Sequence, residues 1–273
     1  MKRYTWKTGV LQIIMIGVVL VVLIPVYILV NTALKPRGDR SSPMLPTLTP
    51  EWGNFPQAWE QAGLGPALLS SIFVTVTTIV LLIAIGSLAA YPLARITASW
   101  SPVVYYAFML GFIVPSILAL IPLYSTFRDM GLLAHPLALV ILYLGERGSF
   151  TIFLYTEFLR AVPREYDEAA GIDGAGRLKT FWHVILPMLR PVTGTVIILN
   201  AVFIWNDFYA PLLFLSGSGS QTLPVAMFSF TGTYEVDWTL MFAALIIGSL
   251  PMLIAFLAMQ KAVFRGYASG LKG

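Results

Sequence analysis

An all-α integral membrane protein is the fold class this sequence predicts, on three observations. Hydrophobic residues make up 58% of the 273-residue chain and charged residues 11%, where a soluble domain carries about 25%. The mean hydropathy is +0.80. Apolar residues also gather into six long stretches of the length a spanning helix needs, about 20 residues. Lipid offers backbone amides no partners, so helices are the expected form of such stretches.

The first predicted span covers Val10–Val30. Lys2, Arg3 and Lys7 ahead of it resemble the start of a signal peptide, but Thr8 to Leu34 runs 27 residues without a charge. That exceeds the 7–15 residues of an h-region, and no Ala-x-Ala-like site follows, so a retained span is expected. The next spans are expected at Pro66–Leu93, Pro102–Phe127, Pro136–Phe158, Pro187–Leu215 and Trp238–Lys261. Pro115 and Pro122 are expected to bend the third. Glu146 and Arg147 interrupt the fourth, and Asn206 and Asp207 stand toward the far end of the fifth.

Six spans put both termini on one side. Lys2, Arg3, Lys7, Arg95, Arg160, Arg164, Arg177, Lys179, Arg190, Lys261, Arg265 and Lys272, twelve cations, fall on that side, against four (Lys35, Arg37, Arg40, Arg128) on the other. The excess of Lys and Arg marks the cytoplasm, so both ends are expected there. Around the first span the count is three against three, and the loop after span four and the C-terminal tail decide it. The outer stretch Lys35–Gly65 holds five prolines and the aromatics Trp52, Phe55 and Trp59. Proline resists helix and sheet alike there, so a short structured lid or an extended strap is expected. The tip Ser216–Gln221 reads as flexible.

Composition narrows the chemistry. Cysteine is absent, which excludes disulfides, Cys-ligated zinc and thiol nucleophiles. A formal net charge of +4 reflects loop bias, and no nucleic-acid partner is expected. Gly171 and Gly176 have the spacing of a phosphate-binding loop, but Arg177-Leu178 follows where Lys-Ser/Thr is needed. Gly174-x-Gly176 lacks the third glycine of a dinucleotide fingerprint. His135 and His183 stand far apart without metal-ligand company, and no Ser/His/Asp group appears. Neither cofactor nor metal nor catalytic residue is therefore assigned.

The one sizeable polar island, residues 159–186, organises the rest. Pro163 suits the first position of a helix, with Glu165 and Asp167 following in the first turn, where negative charge favours the helix dipole. Gly171 can close that helix in a left-handed conformation, and Asp173 can cap the next. Leu178, Phe181, Trp182 and Ile185 recur at helical spacing as one apolar stripe. The acids Glu165, Asp167, Glu168 and Asp173 read as charge partners for a basic docking surface, Glu168 first among them. On periodicity alone an amphipathic connector lying on the membrane is the other reading.

Glu168-Ala169-Ala170-x-x-x-Gly174, nine residues and Val184-x-Leu186-Pro187 together resemble the EAA signature of ABC-importer permeases, with Val184 where isoleucine is usual. The resemblance covers most of the chain, runs strongest from Tyr155 to Gly273, and is nearest to the maltose-transporter type of carbohydrate permease. It implies a cytoplasmic coupling-helix loop between spans four and five. Glu168, Ala169, Ala170, Asp173, Gly174, Phe181, Trp182, Leu186 and Pro187 would there serve coupling to an ATP-hydrolysing subunit. It further implies a single permease domain over 1–273 in a prokaryotic inner membrane. The implied partners are a second, different permease subunit, two ATPase subunits and an extracytoplasmic sugar-binding protein.

Trp205-Asn206-Asp207-Phe208 resembles a WNDF-type run of the same carbohydrate group, and marks Trp205, Asn206 and Asp207 as candidates for the translocation path or its outer gate. Interfacial anchoring by Trp and Phe is the alternative. Glu146-Arg147 is a second candidate for the path or gate, because charges inside a span are costly and face protein or water. An ion pair to a partner subunit is equally open. This charged pair departs from the family, where apolar or amide residues are usual. The Gly-rich tail Phe264–Gly273 is expected to reach toward the ATPase. Permeases for glycerol-phosphate, peptides or amino acids are the nearest alternatives. An ion-coupled carrier using Glu146 and Asp207, or a membrane scaffold without transport, would be of another class.

Overall fold

The computed structural model describes residues 6–113, 115–232 and 236–270; the side chains of Lys7 and of 261–270 are not part of that description. Lys2, Arg3, the side chains of Lys261 and Arg265, and the side-chain contacts expected of the tail fall outside it. The regular structure among the described residues is helical, with one isolated antiparallel bridge, Thr231 to Val236. The elements are α1 (Trp6–Ala33), α2 (Asn54–Gln61), α3 (Leu64–Arg95), α4 (Trp100–Ile113), α5 (Ser116–Asp129), α6 (Pro136–Ala161), α7 (Glu165–Ile172), α8 (Arg177–Thr180), a π-helical turn (Phe181–Ile185), α9 (Leu186–Met188), α10 (Arg190–Asn206), α11 (Tyr209–Phe214), α12 (Leu223–Met227) and α13 (Trp238–Gly270).

Four of these are long and apolar enough to cross a membrane: α1, α3, α6 and α13. The number rises to six if each of two bent pairs counts as one span: α4 with α5, meeting at 93°, and Arg177–Met188 with α10, meeting at 72°. The stretch expected as a continuous third span is thus broken, and the break falls at Pro115, while Pro122 sits inside α5. The stretch expected as the fifth span breaks as well. Asp207 leaves α10 in an extended conformation, and its Oδ1 accepts the Tyr209 amide at 3.1 Å, a local turn after which α11 begins.

The chain forms two compact units. The first comprises Met1–Gly65 and Ala226–Leu250. Here the proline-rich strap is ordered by amides and a buried lysine rather than by regular structure. Asn31 donates to the carbonyls of Pro43 and Leu45, both at 2.8 Å, and accepts the Thr47 amide at 2.9 Å. Lys35, only 3% exposed, pairs with Asp39 at 3.4 Å and donates to Ser41 and Ser42. Hydrogen bonds from the Ser41 amide and hydroxyl hold the Asp39 carboxyl below its usual range, with Lys35 adding to the effect. Arg37 reaches Asp237 at 2.8 Å.

The second unit comprises Pro66–Val225 and Pro251–Gly273 and has two apolar cores. One gathers Val74, Leu139, Tyr143, Ile204 and Phe214; the other gathers Ala90, Tyr155, Leu159, Phe181, Ile185 and Leu189. Gly86 is where α3 meets α6 most closely: a Cβ there would stand 2.7 Å from the Thr151 methyl.

Asn54 is the tie whose loss tests the strap, because it is buried and donates to the carbonyls of Ala33 and Lys35, both at 2.9 Å. Asn54→Ala leaves two buried acceptors bare and destabilises this unit by about 2 kcal/mol. Limited proteolysis should then cut within 36–53 several times faster than in the parent protein.

Candidate functional site

Two places collect the residues singled out above, and both lie in the second unit. The first is the helical knuckle from Glu165 to Met188. α7 begins at Glu165 after an Arg164 N-cap that makes no side-chain cap, so Pro163 stands ahead of the N-cap and not at the first helical position. Glu165, Asp167 and Glu168 fill its first turn, where the exposed N–H groups favour negative charge.

The helix continues through Ile172, so Gly171 lies within it and the left-handed residue is Gly174, at φ +75°. The Ala175 amide donates to Ala170 O at 2.9 Å and the Gly174 amide to Gly171 O at 3.0 Å. Those two bonds form a Schellman turn, which needs a residue free to adopt positive φ at Gly174. A Cβ on Gly174 would meet nothing within 4 Å, so the demand for glycine comes from the backbone and not from crowding. Asp173 is the C-cap of α7 rather than the N-cap of the next helix; that position belongs to Gly176.

The stripe expected over Leu178–Ile185 is split lengthwise. Phe181 and Ile185 are buried, whereas Leu178 and Trp182 are exposed. A π-helical turn over Phe181–Ile185 widens the helix at this point. Phe181 lies 5.7 Å from the Tyr91 ring and 5.3 Å from Trp182, and so anchors the knuckle to its own chain. Leu186 is partly buried on the same core and Pro187 is exposed. Facing outward are Tyr166, Glu168, Ala169, Ile172, Leu178 and Trp182, while Ala170 is buried.

Asp167 is not a partner for an external cation. Its Oδ1 accepts the Tyr91 hydroxyl at 2.6 Å, and its Oδ2 stands 2.9 Å from Arg95 Nε. Nη1 of Arg95 donates in turn to the carbonyls of Leu159 and Val162, both at 2.9 Å. One guanidinium thus ties the ends of α3 and α6 to the first turn of α7. Tyr91 and Arg95 are four residues apart at the end of a helix and share a face; that spacing was the available signal for this clamp. A cleft of about 700 Å³ lies beside it, lined by Tyr91, Arg95, Arg164, Glu168 and Leu178 among others.

The second place is a cavity of about 640 Å³ lined from α4, α5, α6, α10 and α11. Glu146, Arg147 and Asp207 all border it, with Phe112, Phe203 and Tyr209. Arg147 turns to α10 rather than to Glu146: its Nε donates to Asn200 Oδ1 at 3.0 Å. Its guanidinium carbon lies 4.3 Å from the centre of the Phe203 ring and 4.7 Å from that of Phe150. Asn200 is fully buried and donates to Val196 O at 2.8 Å and to Thr151 Oγ1 at 3.3 Å. Asp207 accepts the Tyr143 hydroxyl at 2.7 Å.

Of the WNDF-type run, only Asp207 lines the cavity. Trp205 is buried, where an exposed interfacial anchor was the alternative, and Asn206 is exposed and donates back to Val202 O at 2.8 Å. Sequence reasoning missed Asn200, Tyr143 and Phe203. A lone amide within the apolar run Val196–Ile204 was a usable sign of Asn200. His135 caps α6 through Nδ1, and His183 contacts Lys179 O at 3.0 Å.

Removing the charge of Asp167 tests the clamp. Asp167→Asn should lower stability by about 2 kcal/mol, because it leaves a largely buried guanidinium without its opposite charge and weakens the bond from the Tyr91 hydroxyl. Pairing it with Arg95→Gln should restore part of that loss in thermal unfolding of the purified protein. Gly174→Ala should cost about 1 kcal/mol through left-handed strain, read as faster amide exchange at residues 170–175.

Residues 82–269 match the family model described as "Binding-protein-dependent transport system inner membrane component". The melibiose/raffinose/stachyose import permease protein MelC of Bacillus subtilis (strain 168) is 39% identical over 248 residues, covering 90% of each chain. The probable starch degradation products transport system permease protein AmyC of Thermoanaerobacterium thermosulfurigenes is 36% identical over 220 residues, 80% of each. A crystal structure of a bacterial ABC transporter involved in import of the acidic polysaccharide alginate contains a chain of the same fold, at TM-score 0.81 and 19% identity, covering 96% of this chain and 99% of that one. With an all-helical fold, four to six candidate spans and a family match over more than half its length, this chain belongs to the inner-membrane components of binding-protein-dependent transport systems.

Proposed function

We propose that the chain is the permease subunit of an ATP-driven importer of neutral oligosaccharides, and that the knuckle Glu165–Met188 receives the work of a separate ATPase. The observation that carries this reading is the outward apolar face of the knuckle combined with its rigid attachment. Ile172 is 88% exposed and Leu178 70%, on elements fixed by the Asp167–Arg95–Tyr91 clamp and by buried Phe181 and Ile185. A partner gripping that face moves α3, α6 and α10 together, because their packed ends do not yield separately.

In this reading residues 1–273 form one permease domain of six spans with both termini in the cytoplasm, and the knuckle hangs on that side. A second, different permease subunit completes the pathway, two ATPase subunits take one knuckle each, and an extracytoplasmic binding protein delivers the sugar. Exposed Glu168 supplies a charge contact to the ATPase, with Ala169 and the Gly174 turn keeping its approach open. The cavity bordered by Glu146, Arg147 and Asp207 is this subunit's share of the path. ATP does work only because the knuckle fits the closed ATPase pair in one membrane state better than in the other. Carbohydrate as the cargo follows from the relatives named for melibiose, raffinose and starch products.

The complex, purified with its partner subunits and reconstituted in vesicles, tests the reading. Binding protein loaded with raffinose, melibiose or a maltodextrin should stimulate ATP hydrolysis by about tenfold, equivalent to 1.4 kcal/mol of coupling. Stimulation by glycerol 3-phosphate or a peptide in place of every sugar would refute the carbohydrate assignment. Gly174→Asp should insert into the membrane normally and lose the ATPase response; a retained response refutes the role of the knuckle.

A further inference from the structure

The geometry points to a sugar-binding subsite carried by this subunit itself, with Arg147 reading ligand hydroxyls and Glu146 accepting from them. The assignment deepens the reading of the cavity as part of a carbohydrate path and rests on it. A guanidinium inside a span is costly and is ordinarily neutralised by a neighbouring carboxylate. Arg147 is held another way. Phe150 and Phe203 flank it at 4.7 and 4.3 Å, and Asn200, itself locked to Val196 and Thr151, takes only its Nε. Among the described residues, its two terminal nitrogens donate to no protein acceptor.

A planar fork fixed at its root therefore presents its donor edge where it borders the 640 Å³ cavity. Glu146 follows directly on α6 and borders the same space, with Ser116 near its carboxylate. Phe112 and Phe203 give the cavity apolar walls. Oxygens of adjacent hydroxyls can accept from the guanidinium, a hydroxyl can donate to Glu146, and the C–H face of a pyranose can lie on an aromatic ring. That combination of few oriented polar groups on an apolar lining is what a sugar site requires. Asp207 does not compete for this role, since Tyr143 and the Tyr209 amide already occupy it.

The charges also select. Two carboxylates and one guanidinium border the cavity, so a neutral sugar is preferred over a phosphorylated or acidic one.

Saturation-transfer NMR on the purified complex without binding protein, with raffinose as the probe, reads this site directly, since it detects weak ligands in fast exchange. The wild-type complex should give transfer to sugar-ring protons that glycerol 3-phosphate does not displace. Arg147→Gln should weaken raffinose binding roughly tenfold, the loss of one charge-assisted contact. Arg147→Lys should fall between the two, keeping charge but not the planar fork. Equal subunit recovery and the same elution position in size-exclusion chromatography show that the variants assemble. Unchanged raffinose affinity in Arg147→Gln overturns the subsite, as does a loss that merely tracks lost assembly. An absence of wild-type transfer, in a complex whose ATPase answers to raffinose-loaded binding protein, overturns the subsite and leaves the carbohydrate reading standing. A wild-type ATPase deaf to every sugar overturns both.

Discussion

The contact on which the second unit depends is the one between Arg95 and Asp167. A guanidinium at the end of α3 meets a carboxylate in the first turn of α7 at 2.9 Å and caps the last carbonyls of α6 with a different nitrogen. Each of these groups would otherwise be a liability. The C-terminal carbonyls of a helix have no partners of their own, and a largely buried arginine needs an opposite charge. Joined, the charges offset one another and Nη1 takes the two carbonyls, which leaves little freedom for the knuckle to swing independently of the helices it follows. Tyr91 closes the arrangement by donating to the other carboxylate oxygen and standing against Phe181.

A second constraint shapes the cavity. Backbone that leaves helical geometry at membrane depth has to border protein or a water-filled space, because lipid cannot satisfy its amides. Two of the breaks in this unit, at Pro115 between α4 and α5 and at Asp207 between α10 and α11, belong to the lining of the 640 Å³ cavity. The same is true of Glu146 and Arg147 in the middle of α6. Irregular backbone and charge, each costly in lipid, are gathered here around one cavity.

Much of this was legible in the sequence, and the failures have physical causes. Hydropathy located the long helices α1, α3, α6 and α13, because an apolar run of sufficient length with few charges has few alternatives. Proline marked the bend at Pro115, but nothing marked the break at Asp207, which ends α10 through a two-residue side-chain turn that leaves the hydropathy of Pro187–Leu215 unchanged. The resemblance to the EAA signature drew attention to the segment from Glu165 to Met188, where capping was misjudged by a few residues. α7 runs one residue past Gly171, and the Schellman turn then falls on Gly174. Asp167 was read as a contact for another protein because its true partner is 72 positions earlier in the chain, a distance that no local pattern spans. The split of the Leu178–Ile185 stripe depended on a π-helical turn, which has no compositional mark.

Exposure means different things along this chain. Large apolar side chains stand outward throughout α1, and in a span that is what contact with lipid requires. α7 is another matter: it belongs to none of the candidate spans, and three of its eight residues are acidic, all in the first turn. An element so charged does not sit in hydrocarbon, so the exposed Ile172 at its end and Tyr166 beside it face water or another protein. Burial of the Ile172 side chain by a partner is favourable by about 2 kcal/mol, and the acids beside it give that partner an orientation as well as an affinity. The inner face of the knuckle is already committed to Tyr91, Arg95 and the core around Phe181. Peeling the knuckle away would expose that core, so the knuckle and the ends of the helices behind it hold together as one packed piece.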